Sequence, residues 1–249
     1  MYPVLLKIGP ITVYSYGTFV AVGYLLAILL ARKKAVKYGL DPDKITDLGL
    51  YVLIAGLAGA RLLYVLTQLK SFIYRPVFDI FKIWEGGLVY YGGLIAGVII
   101  GVWYIKKIKY PLEKVVDIVA PSIALGQFLG RIGCFLNGCC YGKVSKSFGL
   151  IFPNIGDNLP HIPTQLIESV VTLVIFLFLL KREKHKKFDG ELFLLYLVLY
   201  SISRFLIEII RADDRGPSLF GVISVSQFVS ILIFILLLKV LIANEVKGR

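Results

Sequence analysis

Long stretches of the sequence lack charge, and this scarcity argues against a soluble protein. Several windows of about 20 residues are almost free of charged side chains, which is the length that crosses the core of a bilayer. The chain of 249 residues is 57% hydrophobic with a mean hydropathy of +0.79, too apolar for a soluble domain. Runs such as VTLVIFLFLL (171–180) do not alternate with polar residues, unlike the strands of an outer-membrane barrel. The expected fold is an all-α integral membrane protein.

Internal repeats, low-complexity segments and a cleavable leader are also lacking. The first apolar run follows MYPVLLKIGPITVYSYG, with no basic start and no small-residue cleavage site before Arg32, so we expect a membrane span there and not a signal peptide. Without repeat symmetry, a transporter is disfavoured. We predict a single membrane domain over residues 1–249, with seven spans at about 13–31, 46–67, 88–105, 115–136, 164–180, 192–210 and 220–241.

Acidic residues are few, 16 against 28 lysines and arginines, and the net charge is +12. In the seven-span arrangement, seventeen basic residues fall on one side of the membrane. The positive-inside rule then places the N-terminus outside and the C-terminus in the cytoplasm, with small extracytoplasmic loops. Attraction to anionic lipid accounts for the charge, so no nucleic-acid partner is expected. The outer loops hold Lys7, Lys70, Arg75, Lys82, Lys143, Lys146 and Arg215.

Four further arginines lie within or at the edge of predicted spans, all toward the outer face. Charges at such positions are costly and suggest a functional site. The planar arginine fork binds phosphate oxygens through two hydrogen bonds and keeps its charge when partly desolvated. A shared anion site is therefore favoured over separate anchors, although Arg204 and Glu208, at i and i+4, also fit a structural pair. The four are Arg61, Arg131, Arg204 and Arg211.

Other polar residues are predicted at the same depth and indicate a cavity that opens to the outer leaflet. His161 is the leading candidate for a general base because histidine titrates near neutral pH. Capping of the following helix, or a headgroup contact, remains an alternative for it. The glycines beside Tyr91 suit close helix packing. The polar set also includes Tyr16, Glu168, Tyr200 and Glu208.

The three cysteines, Cys134, Cys139 and Cys140, offer a competing signal. Their spacing differs from the CxxC pairs of zinc sites, so no metal site is predicted. A disulfide on an oxidising face stays open, and packing beside glycine is the main expectation. The alternative function is a membrane thiol–disulfide oxidoreductase that uses Cys139 and Cys140.

With these residues the chain resembles the prolipoprotein diacylglyceryl transferase family over essentially its whole length. The glycine–arginine run and the RFxxExxR segment are the specific parts of the match. The family often has histidine where this chain has Tyr91, and asparagine and glutamate where it has Cys134 and Cys139. The matching motifs are YG (16–17), GARLLY (59–64), YGGLIAG (91–97), GRIGCFLNGCCYG (130–142), HIPTQLIE (161–168), YSISRFLIEIIR (200–211) and SVSQF (224–228).

The resemblance implies an enzyme of the bacterial plasma (inner) membrane that needs no cofactor. It would move the diacylglyceryl group of phosphatidylglycerol to the lipobox cysteine in a prolipoprotein signal peptide, forming a thioether and releasing glycerol phosphate. The family's essential arginines fall on Arg131 and Arg204. The predicted catalytic residues are Arg131, Arg204, His161 and Tyr91. The predicted substrate contacts are Arg131, Tyr16, Arg61, Gly92, Gly93, Asn137, Gly142, Tyr200, Glu208 and Arg211.

Overall fold

The computed structural model of the protein describes residues 1–9, 11–73, 76–212, 224, 226–235 and 237. Over these residues the chain is mostly helical. The helices that are long and apolar enough, by length and composition, to cross a membrane are Pro42–Thr67, Leu112–Asn137, Thr164–His185 and Glu191–Ile210, and a shorter apolar helix covers Ser226–Ile235. This confirms the prediction of a helical membrane protein.

The elements follow the chain in a simple order, and a predicted span overlaps each of the six long helices. The prediction of an all-α fold omitted two small antiparallel strand pairs, which supply hydrogen-bond partners for backbone outside the helices. Most of the last predicted span, 220–241, lies outside the described residues, as do Arg75 and Arg215. The elements are β1 Val4–Ile8, β2 Ile11–Tyr14, α1 Ser15–Lys37, α2 Pro42–Thr67, α3 Leu69–Phe72, α4 Tyr90–Lys107, α5 Leu112–Asn137, β3 Leu150–Ile151, β4 Pro160–His161, α6 Thr164–Arg182 and α7 Glu191–Ile210.

The chain divides into two compact units. Unit 1 comprises Met1–Leu30 and Val116–Arg249, and unit 2 comprises Ala31–Val115. Each unit has its own packing, and the single membrane domain over residues 1–249 stays a prediction.

Unit 2 is built on α2 and α4, which pack through glycines. A Cβ added to Gly92 would collide with the carbonyl of Gly59, and one on Gly93 would lie 2.9 Å from the carbonyl oxygen of Gly56. Only residues without a side chain allow such a close approach of two helix backbones. Helix α2 begins at the N-cap Asp41, whose carboxylate accepts a hydrogen bond from the Asp43 amide.

Unit 1 places the start of α1 against the end of α5. A Cβ added to Gly133 would lie 3.0 Å from Cβ of Phe19 and 3.3 Å from the backbone of Tyr16. A Cβ on Gly23 would lie 3.1 Å from the carbonyl oxygen of Gly126. These glycines bring Tyr16 close to the final turns of α5.

Helices α5, α6 and α7 share the apolar core of unit 1. Buried charged residues join the start of α5, the end of α6 and the start of α7. The Asp117 carboxylate is fully buried and accepts hydrogen bonds from the amides of Gly190, at 2.9 Å, and Phe193, at 3.2 Å. Arg182 pairs with Glu191 at 2.6 Å. The core cluster consists of Ala120, Ala124, Ile175, Leu179, Leu192 and Tyr196.

Candidate functional site

One buried carboxylate in unit 1 is surrounded by three arginines. Oε1 of Glu168 lies 2.7 Å from Nη2 of Arg131. Oε2 of Glu168 lies 3.8 Å from Nη1 of Arg204 and 3.7 Å from Nη1 of Arg211. Glu168 is only 2% exposed. Three of the four arginines that the sequence singles out therefore converge on one glutamate, and we call Glu168 with Arg131, Arg204 and Arg211 the arginine cluster.

The helix ends of unit 1 position this cluster. Arg131 lies in the last two turns of α5, and Glu168 lies in the second turn of α6. Arg204 projects from α7, and Arg211 follows the last residue of that helix, where its amide donates to the carbonyl of Glu208. An α-helix repeats its direction every three to four residues, so Arg204 and Glu208 lie on one face of α7.

Glu208 adds a second carboxylate beside the arginine cluster. Arg204 Nη2 pairs with Glu208 Oε2 at 2.8 Å, and Ser226 Oγ donates to Glu208 Oε1 at 2.7 Å. Among the residues that the structure describes, three guanidinium groups and two carboxylates make up these ion pairs. Within the described residues, Nη1 of Arg204 and Oε2 of Glu168 are buried and have no hydrogen-bond partner, because 3.8 Å exceeds the length of such a bond. The cluster keeps both charge and a donor for an anionic oxygen.

Two predicted tyrosines adjoin the cluster. Tyr200 Oη donates to Glu168 Oε1 at 3.4 Å, and its ring stacks on Tyr196 with centroids 5.8 Å apart. Tyr16, at the start of α1, is 46% exposed and lies close enough to Arg131 to interact with it electrostatically. A hydroxyl from α1 and another from α7 thus accompany the arginines.

Gly142 joins the segment after α5 to the end of α7. Its amide donates to the carbonyl of Ile162 at 2.8 Å, and it forms an antiparallel bridge with Arg211. A Cβ at Gly142 would lie 2.7 Å from the carbonyl oxygen of Ile210 and 2.8 Å from the side chain of Thr164. Glycine is needed here because any side chain would push Arg211 away. Substrate binding by Gly142 and by Asn137, the last residue of α5, remains a prediction.

His161, the predicted general base, has a partner at each of its ring nitrogens. Its Nδ1 lies 2.9 Å from the carbonyl oxygen of Gly142, and its Nε2 lies 2.8 Å from Asp157 Oδ2. Both partners are acceptors, so the doubly protonated ring satisfies them best. Burial alone would lower the pKa of His161, but Asp157 and the Gly142 carbonyl raise it above its ordinary value. In this form neither nitrogen has a lone pair for a substrate proton, and both contacts hold the loop together; the general-base role of His161 stays a prediction.

The cysteines, which the sequence suggested as packing residues, lie together beside the cluster. All three are free thiols, and their sulfur atoms lie within 4.8 Å of one another. Cys140 interacts electrostatically with both Arg131 and Arg211. The sequence spacing concealed this proximity, because it depends on how α5 ends.

Arg61 lies in unit 2, where backbone carbonyls occupy its guanidinium group. Nε donates to Ile80 at 2.7 Å, Nη1 donates to Gly86 at 2.7 Å and Gly87 at 3.2 Å, and Nη2 donates to Asp79 at 2.6 Å. Arg61 is 7% exposed. These contacts hold the segment between α3 and α4, and the substrate contact of Arg61 stays a prediction.

The remaining predicted residues of unit 2 begin α4. The ring of Tyr91 is 40% exposed and meets Tyr90 edge to face, with centroids 5.7 Å apart. Gly92 and Gly93 face the backbone of α2, so their contribution is the close helix packing described above. The catalytic role of Tyr91 stays a prediction, as do the substrate contacts of Gly92 and Gly93.

Sequence reasoning noticed Glu168 but left it out of the predicted site, although it organises the cluster. A carboxylate inside an apolar span needs a charged partner. That requirement could have predicted that Glu168 pairs with the arginines of the neighbouring spans. Thr164 and Gln165 were also missed. Their side chains donate to the carbonyls of Cys140 and Cys139, and thereby fix the loop after α5 to the start of α6.

Known proteins match this chain over most of its length. The family described as prolipoprotein diacylglyceryl transferase matches residues 3–243. The chain is similar to the phosphatidylglycerol–prolipoprotein diacylglyceryl transferase of Clostridium tetani, with 37% identity over 240 residues that cover 95% of each chain. The protein of that name from Staphylococcus aureus strain MW2 is 39% identical over 255 residues, which cover 98% of this chain and 90% of the relative.

Proposed function

The chain belongs to the prolipoprotein diacylglyceryl transferase family, and from this premise we propose how its residues perform the reaction. It transfers the diacylglyceryl group of phosphatidylglycerol to the lipobox cysteine of a prolipoprotein, the first step of bacterial lipoprotein maturation. The observation that carries the proposal is the buried arginine cluster, because a membrane helix bundle holds three guanidinium groups together only at a considerable cost.

The reaction exchanges one bond for another at a glyceryl carbon. The thiol loses its proton, its sulfur bonds to that carbon, and the carbon–oxygen bond to phosphate breaks. The electron pair of the broken bond leaves with the oxygen of glycerol phosphate. Negative charge therefore grows on the departing oxygen in the transition state, where positively charged donors stabilise it most.

Arg131 and Arg204 are the groups that bind this oxygen. Arg131 has a carboxylate on one side only, at Glu168 Oε1, and the buried Nη1 of Arg204 still has a proton to donate. Removing one such donor from an active site commonly costs about 3–4 kcal/mol, a factor of about a hundred to a thousand in rate. Glu168 positions the arginines, Glu208 orients Arg204, and Arg211 adds positive charge.

The tyrosines and Asn137 are assigned to the lipid and not to proton transfer. Tyrosine titrates near pH 10, so its hydroxyl serves better as a donor to ester or glycerol oxygens. Tyr16 and Tyr200 adjoin the arginine cluster, and Tyr91 is partly exposed at the start of α4. The thioether product needs no electron transfer, and the similar proteins are named as diacylglyceryl transferases, which does not support the oxidoreductase alternative.

We further propose the arrangement in the membrane. The chain crosses the bacterial inner membrane seven times with its N-terminus outside, and the arginine cluster opens to the outer leaflet. The basic residues at the C-terminal end of α1, Lys33, Lys34 and Lys37, support a cytoplasmic position for that end of the helix. Reporter fusions after residues 39 and 187 should both report the cytoplasm, and a periplasmic signal from either would contradict this orientation.

The transferase assay combines the purified protein, phosphatidylglycerol and a peptide with a lipobox cysteine. The expected result is a peptide mass gain of one diacylglyceryl group together with released glycerol phosphate. A matched peptide with serine in place of the cysteine should gain no mass. Folded protein that leaves the cysteine peptide unmodified at all lipid concentrations would refute the proposed function.

A further inference from the structure

The three cysteine sulfurs form a compact group at the end of α5. The Sγ atoms of Cys134, Cys139 and Cys140 all lie within 4.8 Å of one another, and those of Cys139 and Cys140 are 3.6 Å apart. No disulfide joins any two of them. Cys134 is buried, and the other two are partly exposed. The group is therefore shielded from solvent at Cys134 and accessible at Cys139 and Cys140.

The backbone brings the sulfurs together through the way α5 ends. Gly138 has a positive φ of 76°, its amide donates to Phe135, and the Cys139 amide donates to the carbonyl of Cys134. This pair of bonds is the Schellman motif, which usually brings together the side chains of its first and last residues. Here those residues are Cys134 and Cys139. Cys140 follows with a positive φ of 68°, which turns its side chain back to the same place.

Contacts from α6 hold this loop in position. Thr164 Oγ1 donates to the carbonyl of Cys140 at 2.6 Å, and the side-chain amide of Gln165 donates to the carbonyl of Cys139. Both donors are fully buried. Cysteine packing alone does not require a positive φ at Cys140, a conformation that is uncommon for residues other than glycine. The strained residue is kept because buried partners fix it.

The sulfur spacing fits a tetrahedral thiolate site. Zinc binds cysteine sulfur at about 2.3 Å, which places two sulfurs of a tetrahedron about 3.8 Å apart. The pair at 3.6 Å already meets this spacing, and no sulfur has to move far. Three thiolates with a divalent cation carry a net charge of −1, and the electrostatic neighbours of Cys140 include Arg131 and Arg211. The surroundings therefore complement the charge of an occupied site.

We propose that Cys134, Cys139 and Cys140 bind a thiophilic divalent cation such as Zn²⁺, with the fourth position open to the acceptor thiol. Catalytic zinc sites commonly have three protein ligands and one open position, and a thiol that coordinates the ion gives up its proton. The role of the fourth position rests on the proposed function. There the acceptor proton passes to solvent, and the metal-bound sulfur attacks the glyceryl carbon beside the arginine cluster. The ion thus performs the deprotonation for which His161 has no free nitrogen.

Cobalt(II) is the probe, because its thiolate charge-transfer and tetrahedral d–d bands report ligand type and geometry. The reduced full-length protein in detergent should bind one equivalent of Co²⁺ with both sets of bands, and Zn²⁺ should displace it. Cys139→Ser should lose the bands, while His185→Gln, which removes an exposed imidazole, should keep them. The proposal is overturned if the wild-type protein, with three titratable thiols, shows no thiolate band. It is also overturned if the bands survive in Cys139→Ser.

A second arm separates the open position from the transferase activity. Adding the lipobox cysteine peptide should strengthen the cobalt charge-transfer band, as a fourth thiolate binds, and the serine peptide should leave it unchanged. If the cysteine peptide receives the diacylglyceryl group but never alters the spectrum, the open position is refuted while the transferase function stands. If metal binds but no lipid is transferred under any condition, the proposed function fails and the three-thiolate site stands.

Discussion

Units 1 and 2 both bury arginines in apolar helical surroundings, but the guanidinium groups have different partners in the two units. In unit 2, Arg61 donates through all three of its nitrogens to backbone carbonyls of one segment. In unit 1, three arginines share Glu168, and two of them lie 3.7 to 3.8 Å from its Oε2. The partners, and not the depth in a predicted span, therefore distinguish a structural arginine from a binding one.

The physical basis of the difference is how many guanidinium N–H donors each arrangement leaves available to a ligand. A guanidinium group has five N–H donors in a fixed fork, and the carbonyls around Arg61 orient that fork toward the segment 79–87. In unit 1, the buried Nη1 of Arg204 lies 3.8 Å from Glu168 Oε2 and has no hydrogen-bond partner among the described residues. Such a donor suits a site that must bind a charged oxygen and then release it.

Removing the shared charge should have the largest effect. Glu168→Gln keeps the shape of the side chain but removes the carboxylate charge that Arg131, Arg204 and Arg211 share. Breaking a buried ion pair in this way commonly costs about 3–5 kcal/mol of stability, so we expect a much lower unfolding temperature and almost no transfer. Differential scanning fluorimetry and the peptide assay test this. Glu113→Gln, which changes an exposed glutamate, is the control and should behave like wild type. A stable, active Glu168→Gln protein would contradict the role of Glu168.

Replacing single cluster arginines should affect transfer more than stability. Arg131→Lys and Arg204→Lys keep the charge but lose the planar fork, and each should lower the transfer rate about a hundredfold to a thousandfold. Arg32→Lys is the matched control, because Arg32 pairs with the exposed Asp43 and should retain full activity. Near-normal rates in either cluster variant would remove that arginine from the mechanism.

Arg61→Lys tests the arginine of unit 2 against those of the arginine cluster in unit 1. Lysine cannot reach the carbonyls of Asp79, Ile80 and Gly86 together, and each buried acceptor left without a donor costs about 1–3 kcal/mol. We expect a measurable loss of stability, with transfer per folded molecule within about threefold of wild type. A hundredfold loss of transfer in well-folded protein would instead support the prediction that Arg61 contacts substrate.

The smallest expected effect concerns His161 and pH. The pKa of His161 is raised in the folded state, so the contact with Asp157 stabilises the protein fully below the unfolded value of about 6.5. That stabilisation is lost as pH rises through the folded pKa. The Leu159 amide and His161 lower the pKa of Asp157. The stabilisation that the ionised Asp157 carboxylate gives the folded protein is therefore lost only as pH falls below about 3.9.

His161→Gln should therefore flatten the dependence of the unfolding temperature on pH between about 6 and 8. Transfer should persist within about threefold at each pH where the variant is folded. A complete loss of transfer with an unchanged unfolding profile would return His161 to the role of general base.

Much of the fold was predictable because its signals are local. Apolar length predicted α2, α5, α6 and α7 as membrane spans, and rare charges identified Arg131, Arg204 and Arg211 as unusual. The short strand pairs were missed because β3 and β4 have two residues each, too few for a periodic pattern. The cysteine group was missed because its spacing becomes compact only through the turn at Gly138.

Composition and periodicity alone determined that this chain is helical and membrane-embedded, since bilayer thickness and the cost of buried charge act on each segment separately. Motif order pointed to the family. Which arginines share a carboxylate, which one binds only carbonyls, and where three sulfurs meet were decided by tertiary structure. Those relationships join residues distant in sequence, and glycine contacts, helix ends and side-chain hydrogen bonds establish them only when the chain is folded.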